Sequence, residues 1–122
     1  MFQNRYWDIK SRTPGLTEDF IRENSDKVCW VYISRYQKLS EEFIREFSDK
    51  VNWNYVSECQ TLSEEFIREY ADKVNWESIS QFQKLSEEFI IEFSAFVYWV
   101  FVKFNQNPSP EFVKRFKLDL IK

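Results

Sequence analysis

Adjacent glutamates are the first residues in this chain that could do chemistry, because two close carboxylates can act as a general acid and a general base. They recur as three pairs, Glu41–Glu42, Glu64–Glu65 and Glu87–Glu88. Neighbouring residues of a helix point about 100° apart, however, so the two carboxylates of a pair cannot serve one substrate. Negative charge in the first turn of a helix is favoured by the helix dipole. The pairs therefore indicate helix starts rather than an active site.

Two cysteines, Cys29 and Cys59, are the next candidates. The chain has no histidine, the residue that most often activates a catalytic thiol or completes a zinc site. Its single glycine excludes a glycine-rich phosphate loop. By their positions in the repeat described below, Cys29 is expected at a helix start and Cys59 is expected to face the core. We predict that the protein is not an enzyme, that it binds no cofactor or metal, and that both cysteines are structural.

Regularly spaced arginines raise the alternative of a nucleic-acid-binding helical repeat. Arg22, Arg45 and Arg68 recur near aromatic residues, as in helical repeats that read one base per unit. Each is followed by a glutamate, which cancels the local positive field. The net charge is −3 and the pI is about 5.1, so the chain as a whole does not attract nucleic acid or an anionic membrane. Nucleic-acid binding is kept as the alternative to protein binding.

The elements that position these side chains come from a tandem repeat. Tryptophan recurs five times at intervals of 23 residues, and columns of phenylalanine and glutamine keep the same period. The predicted repeat core consists of Trp7, Trp30, Trp53, Trp76, Trp99, Phe20, Phe43, Phe66, Phe89 and Phe112. The glutamine column is Gln37, Gln60, Gln83 and Gln106. The five copies have approximate boundaries 7–29, 30–52, 53–75, 76–98 and 99–122, within a single helical-repeat domain 1–122.

Each copy predicts two short helices. Ser40, Ser63 and Ser86 directly precede a glutamate pair, which is typical of a helix N-cap followed by acids in the first turn. Asn52 and Asn75 precede tryptophans and are predicted to cap the first helix of the next copy. The second helix is expected to run for about ten residues.

Apolar spacing predicts which side of each helix faces the core. In the second helix Phe43, Phe47 and Val51 follow i, i+4, i+8 spacing, so one side is apolar. In the first helix Val56 and Cys59 are expected to point inward. The second helix of the last copy is expected to run from Phe112 to Leu120 and to close that end.

These features predict an all-α protein, an αα-hairpin repeat solenoid of five two-helix copies. Leucine-rich repeats have a similar period, but they need an alternating strand signature and an asparagine ladder, and nothing here alternates. Low glycine and proline content favours helices over a sandwich or barrel. Helices this short are unstable alone in water, so stacking of the copies must stabilise them.

The segment Leu-Ser-Glu-Glu-Phe-Ile-Arg-Glu-Phe-Ser-Asp-Lys-Val-Asn-Trp, residues 39–53, resembles the short tandem repeats in proteins of giant DNA viruses that infect amoebae. The resemblance covers copies two to four closely and the first and last copies loosely. It implies a repeat architecture and a viral origin, and it implies no activity for the repeat itself.

The cysteines and the first residues suggest an intracellular protein. No apolar stretch follows Arg5, so we predict that the chain begins without a secretory signal peptide. Two cysteines 30 residues apart fit synthesis in a reducing compartment. Together with the resemblance, this predicts a protein of the infected host cytoplasm, with packaging in the virion as a further hypothesis.

The fourth copy departs from the others at its surface. Positions that hold arginine, aspartate, lysine and asparagine elsewhere hold Ile91, Ala95, Phe96 and Tyr98 here, and Phe101 follows. One explanation is that the end of the solenoid folds back and buries these residues. The other is an exposed patch that needs a partner, since monomers seldom leave such patches open. We expect the second, and we predict a homodimer through these five residues.

The sequence therefore predicts a non-catalytic structural or protein-interaction repeat. The stretch 89–104 carries two charged residues and is too short to span a membrane. Besides a second copy, the expected partner is an unidentified viral or host protein. Varied surface positions that this partner could contact are Asn54, Glu58, Glu77 and Gln81.

Overall fold

The computed structural model describes residues 5–122, which form ten short α-helices and one 3-10 helix, with no β-strand in that range. The first helices of the copies are α1 (Arg5–Arg12), α3 (Trp30–Tyr36), α5 (Trp53–Cys59), α7 (Trp76–Phe82) and α9 (Trp99–Asn105). The second helices are α2 (Glu18–Glu23), α4 (Glu41–Glu46), α6 (Glu64–Glu69), α8 (Glu87–Glu92) and α10 (Pro110–Arg115), and the 3-10 helix spans Leu118–Leu120. The predicted all-α, αα-hairpin repeat class is confirmed. Residues 1–4 of the predicted domain, and the prediction about a signal peptide there, lie outside the described residues.

The chain forms two compact units, one ending at Gln60 and the other beginning at Thr61. In the first unit α1 packs on α3 and α3 packs on α5, so three consecutive first helices form a row. In the second unit α7 packs on α9, and α10 contacts the 3-10 helix. The division falls between the two helices of the third copy.

Serine hydroxyls start the second helices, as the sequence predicts. The Ser40 hydroxyl oxygen accepts a hydrogen bond from the Phe43 amide at 3.1 Å, and the serines of copies three and four cap their helices in the same way. In the last copy Ser109 caps a helix whose first residue is Pro110. Proline suits this position, because its missing N–H would have no partner in the helix.

The second helices are shorter than the predicted ten residues. α4 ends at Glu46 after six residues, and the amides of Lys50 and Val51 then donate to the Phe47 carbonyl in tight turns. The two residues after Phe47 are a serine and an aspartate, which are weak helix formers, and negative charge is unfavourable at a helix C-terminus. The turns still bury Phe47 and Val51 on the same side as Phe43, as predicted.

Asparagine side chains start the first helices of copies three and four. The Asn52 side-chain oxygen accepts from the Tyr55 amide at 3.0 Å, and Asn75 accepts from the Ser78 amide at 3.0 Å. Both predicted caps are therefore confirmed. Cys29 occupies the same position before the first helix of copy two and lies at the helix start, but its side chain forms no capping hydrogen bond.

The prediction that Cys59 faces the core is wrong, because Cys59 is exposed. The buried residues of α5 and its C-cap are Val56, Ser57 and Gln60. They follow Trp53 by three, four and seven residues, which places all four on one side of a helix. Cys59 follows Trp53 by six residues and therefore lies on the opposite side.

The phenylalanine column supplies the buried centre of the repeat core. Phe43, Phe66, Phe89 and Phe112 are buried, and Phe20 in the first copy is half-buried. Complete burial of such a side chain stabilises a fold by about 1.5–3 kcal/mol. The repetition of this ring through the copies gives each hairpin an apolar centre.

The tryptophan column lies at the edge of that centre, with all five indoles half-buried. In copy two the Trp30 ring lies 6.1 Å from the Phe43 ring and 5.0 Å from the Phe47 ring. Four indole N–H groups donate to the carbonyl five residues earlier at 3.0–3.2 Å: Trp30 to Ser25, Trp53 to Ser48, Trp76 to Ala71 and Trp99 to Ser94. These tryptophans therefore lie in like surroundings and tie each first helix to the turn before it.

Buried glutamine side chains join consecutive copies. The Gln60 side-chain oxygen accepts from the Leu39 amide at 3.0 Å. Its side-chain nitrogen donates to the carbonyls of Ser34 at 2.9 Å and Gln37 at 2.7 Å. The glutamines of copies two and five make the same three bonds to the copy before them. One amide side chain thus satisfies three backbone groups of the neighbouring copy.

Buried serines in the first helices make a second link between copies. The Ser34 hydroxyl donates to the Trp30 carbonyl at 2.7 Å and accepts at 2.9 Å from the amide of Asn52, the N-cap of the next copy's first helix. The serines of copies one and four accept in the same way from the N-cap amide of the following first helix. In the fifth copy Lys103 takes this position, and its ammonium donates instead to the Ile121 carbonyl.

The C-terminal segment differs from the predicted helix between Phe112 and Leu120. Lys117 adopts the left-handed conformation, with φ of 56°, which an α-helix cannot continue. After this break the chain forms the 3-10 helix and buries Leu118. The closing element is therefore a short helix, a left-handed residue and a separate single turn.

Every α-helix in the described part of the chain contains only six to eight residues. Isolated helices of this length are unstable in water, so their stability comes from contacts between helices. Across residues 5–122, no helix combines the length and the apolar character that crossing a membrane requires.

We predict that Gln60→Leu destabilises the first unit by roughly 3 kcal/mol, because it leaves one amide and two carbonyls without partners in a buried site. The free energy of unfolding from urea denaturation measures the loss. Gln81→Leu, at a half-buried position of α7 that takes no part in the links between copies, is the matched control and should change stability by at most about 0.5 kcal/mol. Equal effects of the two substitutions would contradict the role assigned to Gln60.

Candidate interaction surface

The arginine column that suggested nucleic-acid binding makes ion pairs between copies. In the first unit the Arg22 Nε group donates to both carboxylate oxygens of Glu46 at 3.0 Å, and Nη1 donates to Asp19 at 2.6 Å. In the second unit Arg68 donates to the Glu92 carboxylate at 2.8–3.1 Å. Each contact between an arginine and a glutamate links one second helix to the next within its unit.

These pairs also shift ionisation equilibria. The hydrogen bond from Arg68 lowers the pKa of Glu92, and the same bond raises the pKa of Arg68. The hydrogen bond to Glu46 likewise raises the pKa of Arg22. A guanidinium that already binds both oxygens of a carboxylate has fewer donors for a phosphate. The column therefore presents paired charges rather than a positive stripe.

In the second unit, the first glutamate of a pair also links copies. The Glu64 carboxylate accepts from the Ser86 amide at 2.6 Å and from the Ser86 hydroxyl at 3.0 Å. Glu87 contacts Ser109 in the same way at 2.7 Å and 3.1 Å. The carboxylate thus binds the N-cap of the following second helix, where the helix dipole favours negative charge. Sequence reasoning assigned these glutamates to their own helix and missed the link to the next one.

The substituted surface of copy four is exposed. Ile91, Phe96 and Tyr98 retain 37%, 55% and 47% of their accessible surface, and Ala95 is exposed as well. We call these four residues the copy-four patch. The explanation that the end of the solenoid folds back over them is therefore wrong.

Phe96 extends the aromatic core to the surface. Its ring lies 5.7 Å from the Trp76 ring at 30° and 6.3 Å from the Phe93 ring. The Trp76 and Phe93 rings are themselves 5.1 Å apart. Copies one to three have a lysine at this position, namely Lys27, Lys50 and Lys73. In copy four a ring replaces the ammonium and is held in place by two aromatic contacts on its inner side.

Phe101, the fifth predicted interface residue, is half-buried on the outward side of α9. Three exposed apolar residues on the first helices of the second unit were not predicted from the sequence, namely Phe82 on α7 and Val100 and Phe104 on α9. They lie one, five or six residues after a tryptophan, on the side opposite the buried residues. Helical spacing counted from the tryptophan was the signal that could have found them.

The outward positions of the first helices are those one, two, five and six residues after the tryptophan. Their residues differ between copies: Val31, Tyr32, Arg35 and Tyr36 in copy two, Asn54, Tyr55, Glu58 and Cys59 in copy three, Glu77, Ser78, Gln81 and Phe82 in copy four, and Val100, Phe101, Phe104 and Asn105 in copy five. The second helices of copies two and three instead share Glu-Glu-Phe-Ile-Arg-Glu, surface residues included. Divergence is therefore concentrated on one side of the repeat.

Cys59 occupies one of these outward positions. Partial burial raises the pKa of its thiol, the charge of Glu58 adds to the rise, and Arg35 opposes it. A raised pKa keeps the thiol protonated and weakly nucleophilic near neutral pH. Within residues 5–122, no group of three histidine, cysteine, aspartate or glutamate side chains gathers as a metal site would require.

We predict that Arg68→Met raises the pKa of Glu92 towards the ordinary value for a glutamate, because the hydrogen bond that lowers it is lost. The pKa of Glu92 is lower in the folded chain than in the unfolded chain. The ion pair therefore stabilises the fold at pH values above the ordinary glutamate pKa, and this contribution is lost as the pH falls through the lowered pKa. Carboxyl ¹³C NMR titration measures the pKa of Glu92 in the unsubstituted chain and in the variant. Arg115→Met is the control and should leave Glu92 unchanged; an ordinary Glu92 pKa in the unsubstituted protein would contradict the assignment.

Comparison with known proteins leaves the chain without an assigned family. No protein-family model matches it. No curated protein sequence and no solved structure matches it either. The surfaces described above are therefore defined by comparison among the chain's own five copies.

Proposed function

We propose that this chain is a non-catalytic protein-interaction repeat that forms a homodimer through the copy-four patch and Phe101. The observation that carries the proposal is the exposed Phe96 ring, stacked on Trp76 at a position where sister copies hold lysine. Exposed aromatic residues on rigid supports are frequent anchors of protein interfaces. The supporting rings fix Phe96 in one orientation, so little side-chain entropy is lost on contact.

The charges next to the copy-four patch favour its burial. Glu92 follows Ile91 directly, and its carboxylate is bound by Arg68 in the same unit. Covering Ile91 with a partner surface therefore leaves no unpaired carboxylate beneath the contact. Burial of an uncompensated charge would otherwise oppose association strongly.

A second copy of the chain is the simplest partner for an apolar patch. It is present wherever the protein is made, and a twofold axis lets one self-complementary surface bury itself on both molecules. The four residues of the copy-four patch occupy columns that are charged or polar in other copies, so this surface distinguishes copy four from its neighbours. Burial in a homodimer would explain why copy four has apolar residues in these columns.

The proposal extends to the protein's origin and to its further partners. The resemblance of residues 39–53 to repeats of giant DNA viruses that infect amoebae supports a viral protein of the infected host cytoplasm. The variable outward positions are the surface proposed for a viral or host partner. Packaging in the virion predicts the presence of the chain in purified particles, which mass spectrometry of their proteins measures.

We predict that the wild-type chain has a molar mass near twice 15.0 kDa in light scattering, and that Phe96→Lys with Ile91→Arg converts it to a soluble monomer. Loss of two interface anchors should weaken the dimer by about 30-fold or more. Sister copies fold with lysine and arginine in these columns, so the variant is expected to retain its helices, as circular dichroism measures.

The control is Tyr36→Lys, which places the same charge at an exposed aromatic position of the first unit. It should leave the mass at the dimer value. A monomeric wild-type chain at high micromolar concentration would refute the dimer, and so would a double variant with wild-type mass.

A further inference from the structure

The outward side of the first unit carries a cluster of tyrosine and arginine on three packed helices. Arg12 lies on α1, Tyr32, Arg35 and Tyr36 lie on α3, and Tyr55 lies on α5. α3 packs against both α1 and α5, which brings the five residues onto one surface. We call these residues the tyrosine-arginine face.

Cation–π contacts organise this face. The Arg35 guanidinium lies over two rings, 5.1 Å from the centre of Tyr36 and 5.2 Å from the centre of Tyr55. The Arg12 guanidinium lies 5.5 Å from the Tyr32 ring, and the Tyr32 and Tyr36 rings are 6.0 Å apart. A stacked guanidinium keeps its N–H groups at its edge available for other acceptors. The stacking therefore holds two arginines in fixed orientations with donors to spare.

The arginines of this face differ from the arginines of the second helices. Arg22 and Arg68 are each bound to a glutamate of the next copy. Among the residues that the structure describes, neither Arg12 nor Arg35 forms an ion pair with a carboxylate. Both guanidinium groups stack on tyrosine rings, and both side chains are exposed to solvent.

A hollow of about 280 Å³ adjoins the face and adds to its positive character. Its lining includes Arg5, Arg12, Ile9 and Tyr32, together with one carboxylate, Asp8. Asp8 already takes part in an interaction within the chain. The hollow thus combines an apolar side chain with two guanidinium groups, a combination that suits a ligand carrying both apolar and acidic groups.

We propose that the tyrosine-arginine face binds an acidic segment of a partner protein, in which glutamate or aspartate alternates with apolar or aromatic residues. Carboxylates would accept paired hydrogen bonds from Arg12 and Arg35, whose planar donors match two carboxylate oxygens. Apolar side chains of the segment would pack on the tyrosine rings. Tyrosine and arginine are enriched at the energetic centres of protein interfaces, where large contact area accompanies little loss of side-chain freedom.

The charge of this surface favours a peptide over a nucleic acid. Three arginines, Arg5, Arg12 and Arg35, share the surface with two acids, Asp8 and Glu58. Nucleic-acid affinity comes mainly from neutralising several phosphates at once, which so small an excess of positive charge cannot do. A short acidic segment needs only two or three charge-assisted bonds and an apolar contact.

Selection from a random library of 12-residue peptides displayed on phage, with the full chain as bait, tests the proposal. Peptides that bind the wild type but do not bind the double variant, Arg12→Gln with Arg35→Gln, should be enriched in aspartate and glutamate next to apolar residues. In fluorescence anisotropy at low salt, the double substitution should weaken binding of an enriched peptide roughly tenfold or more. Replacing the aspartates and glutamates of that peptide by asparagine and glutamine should weaken its binding to the wild type by a similar factor.

The matched control is Lys114→Gln with Arg115→Gln, which removes the same charge from the second unit, where Arg115 also lies over an aromatic ring at 5.0 Å. It should bind the selected peptide as the wild type does. Retained peptides without acidic enrichment, equal weakening by the control, or tighter binding of a 15-residue oligothymidine than of any selected peptide would each overturn the proposal. Phe96→Lys should leave peptide binding intact, so the outcome is separate from that of the proposed dimer.

Discussion

The hydrogen bonds from one buried glutamine side chain to three backbone groups of the preceding copy are the interaction on which this architecture depends. Helices of six to eight residues leave most of their terminal backbone groups without partners inside the helix. Gln60 supplies partners from the neighbouring copy for three groups where α3 ends, namely the Ser34 carbonyl in its last turn, the carbonyl of its C-cap Gln37 and the Leu39 amide in the loop that follows. Within the described residues, every buried polar side-chain atom has a hydrogen-bond partner. A hairpin too short to fold alone therefore becomes stable only as part of a stack.

This dependence explains which residues can vary. The links between copies use the serine four residues after the tryptophan and the glutamine seven residues after it, together with the serine, glutamate and arginine of the second helix. Substitution of one of these side chains would remove a hydrogen bond or an ion pair that joins two hairpins. The outward positions of the first helices hold none of these glutamines, serines, glutamates or arginines of the links, and they carry tyrosine and arginine in one unit and phenylalanine in the other.

Periodicity and capping chemistry predicted the helix pairs, because both are local properties that the chain repeats. The start of α4 at Ser40 followed from one hydroxyl and the acids beside it. The role of Gln60 could not be predicted, since its partners lie more than 20 residues away along the chain. Cys59 was assigned to the core because three-residue steps from Trp53 were extended once too far, beyond the side that the helix buries. The exposure of Phe96 could not be decided from the sequence alone either, because it depends on how the helices around it pack.

The contrast between two sets of arginines argues that the surfaces of the repeat have separate tasks. On the second helices an arginine and a glutamate one copy apart neutralise each other, which links the stack and leaves little field for a partner. On the first helices of the first unit the guanidinium groups stack on tyrosines and keep their charge. Stacking restrains an arginine without neutralising it, whereas an ion pair does both. The stacked arginines lie on the variable side of the repeat, and this is the side for which we propose recognition of a partner.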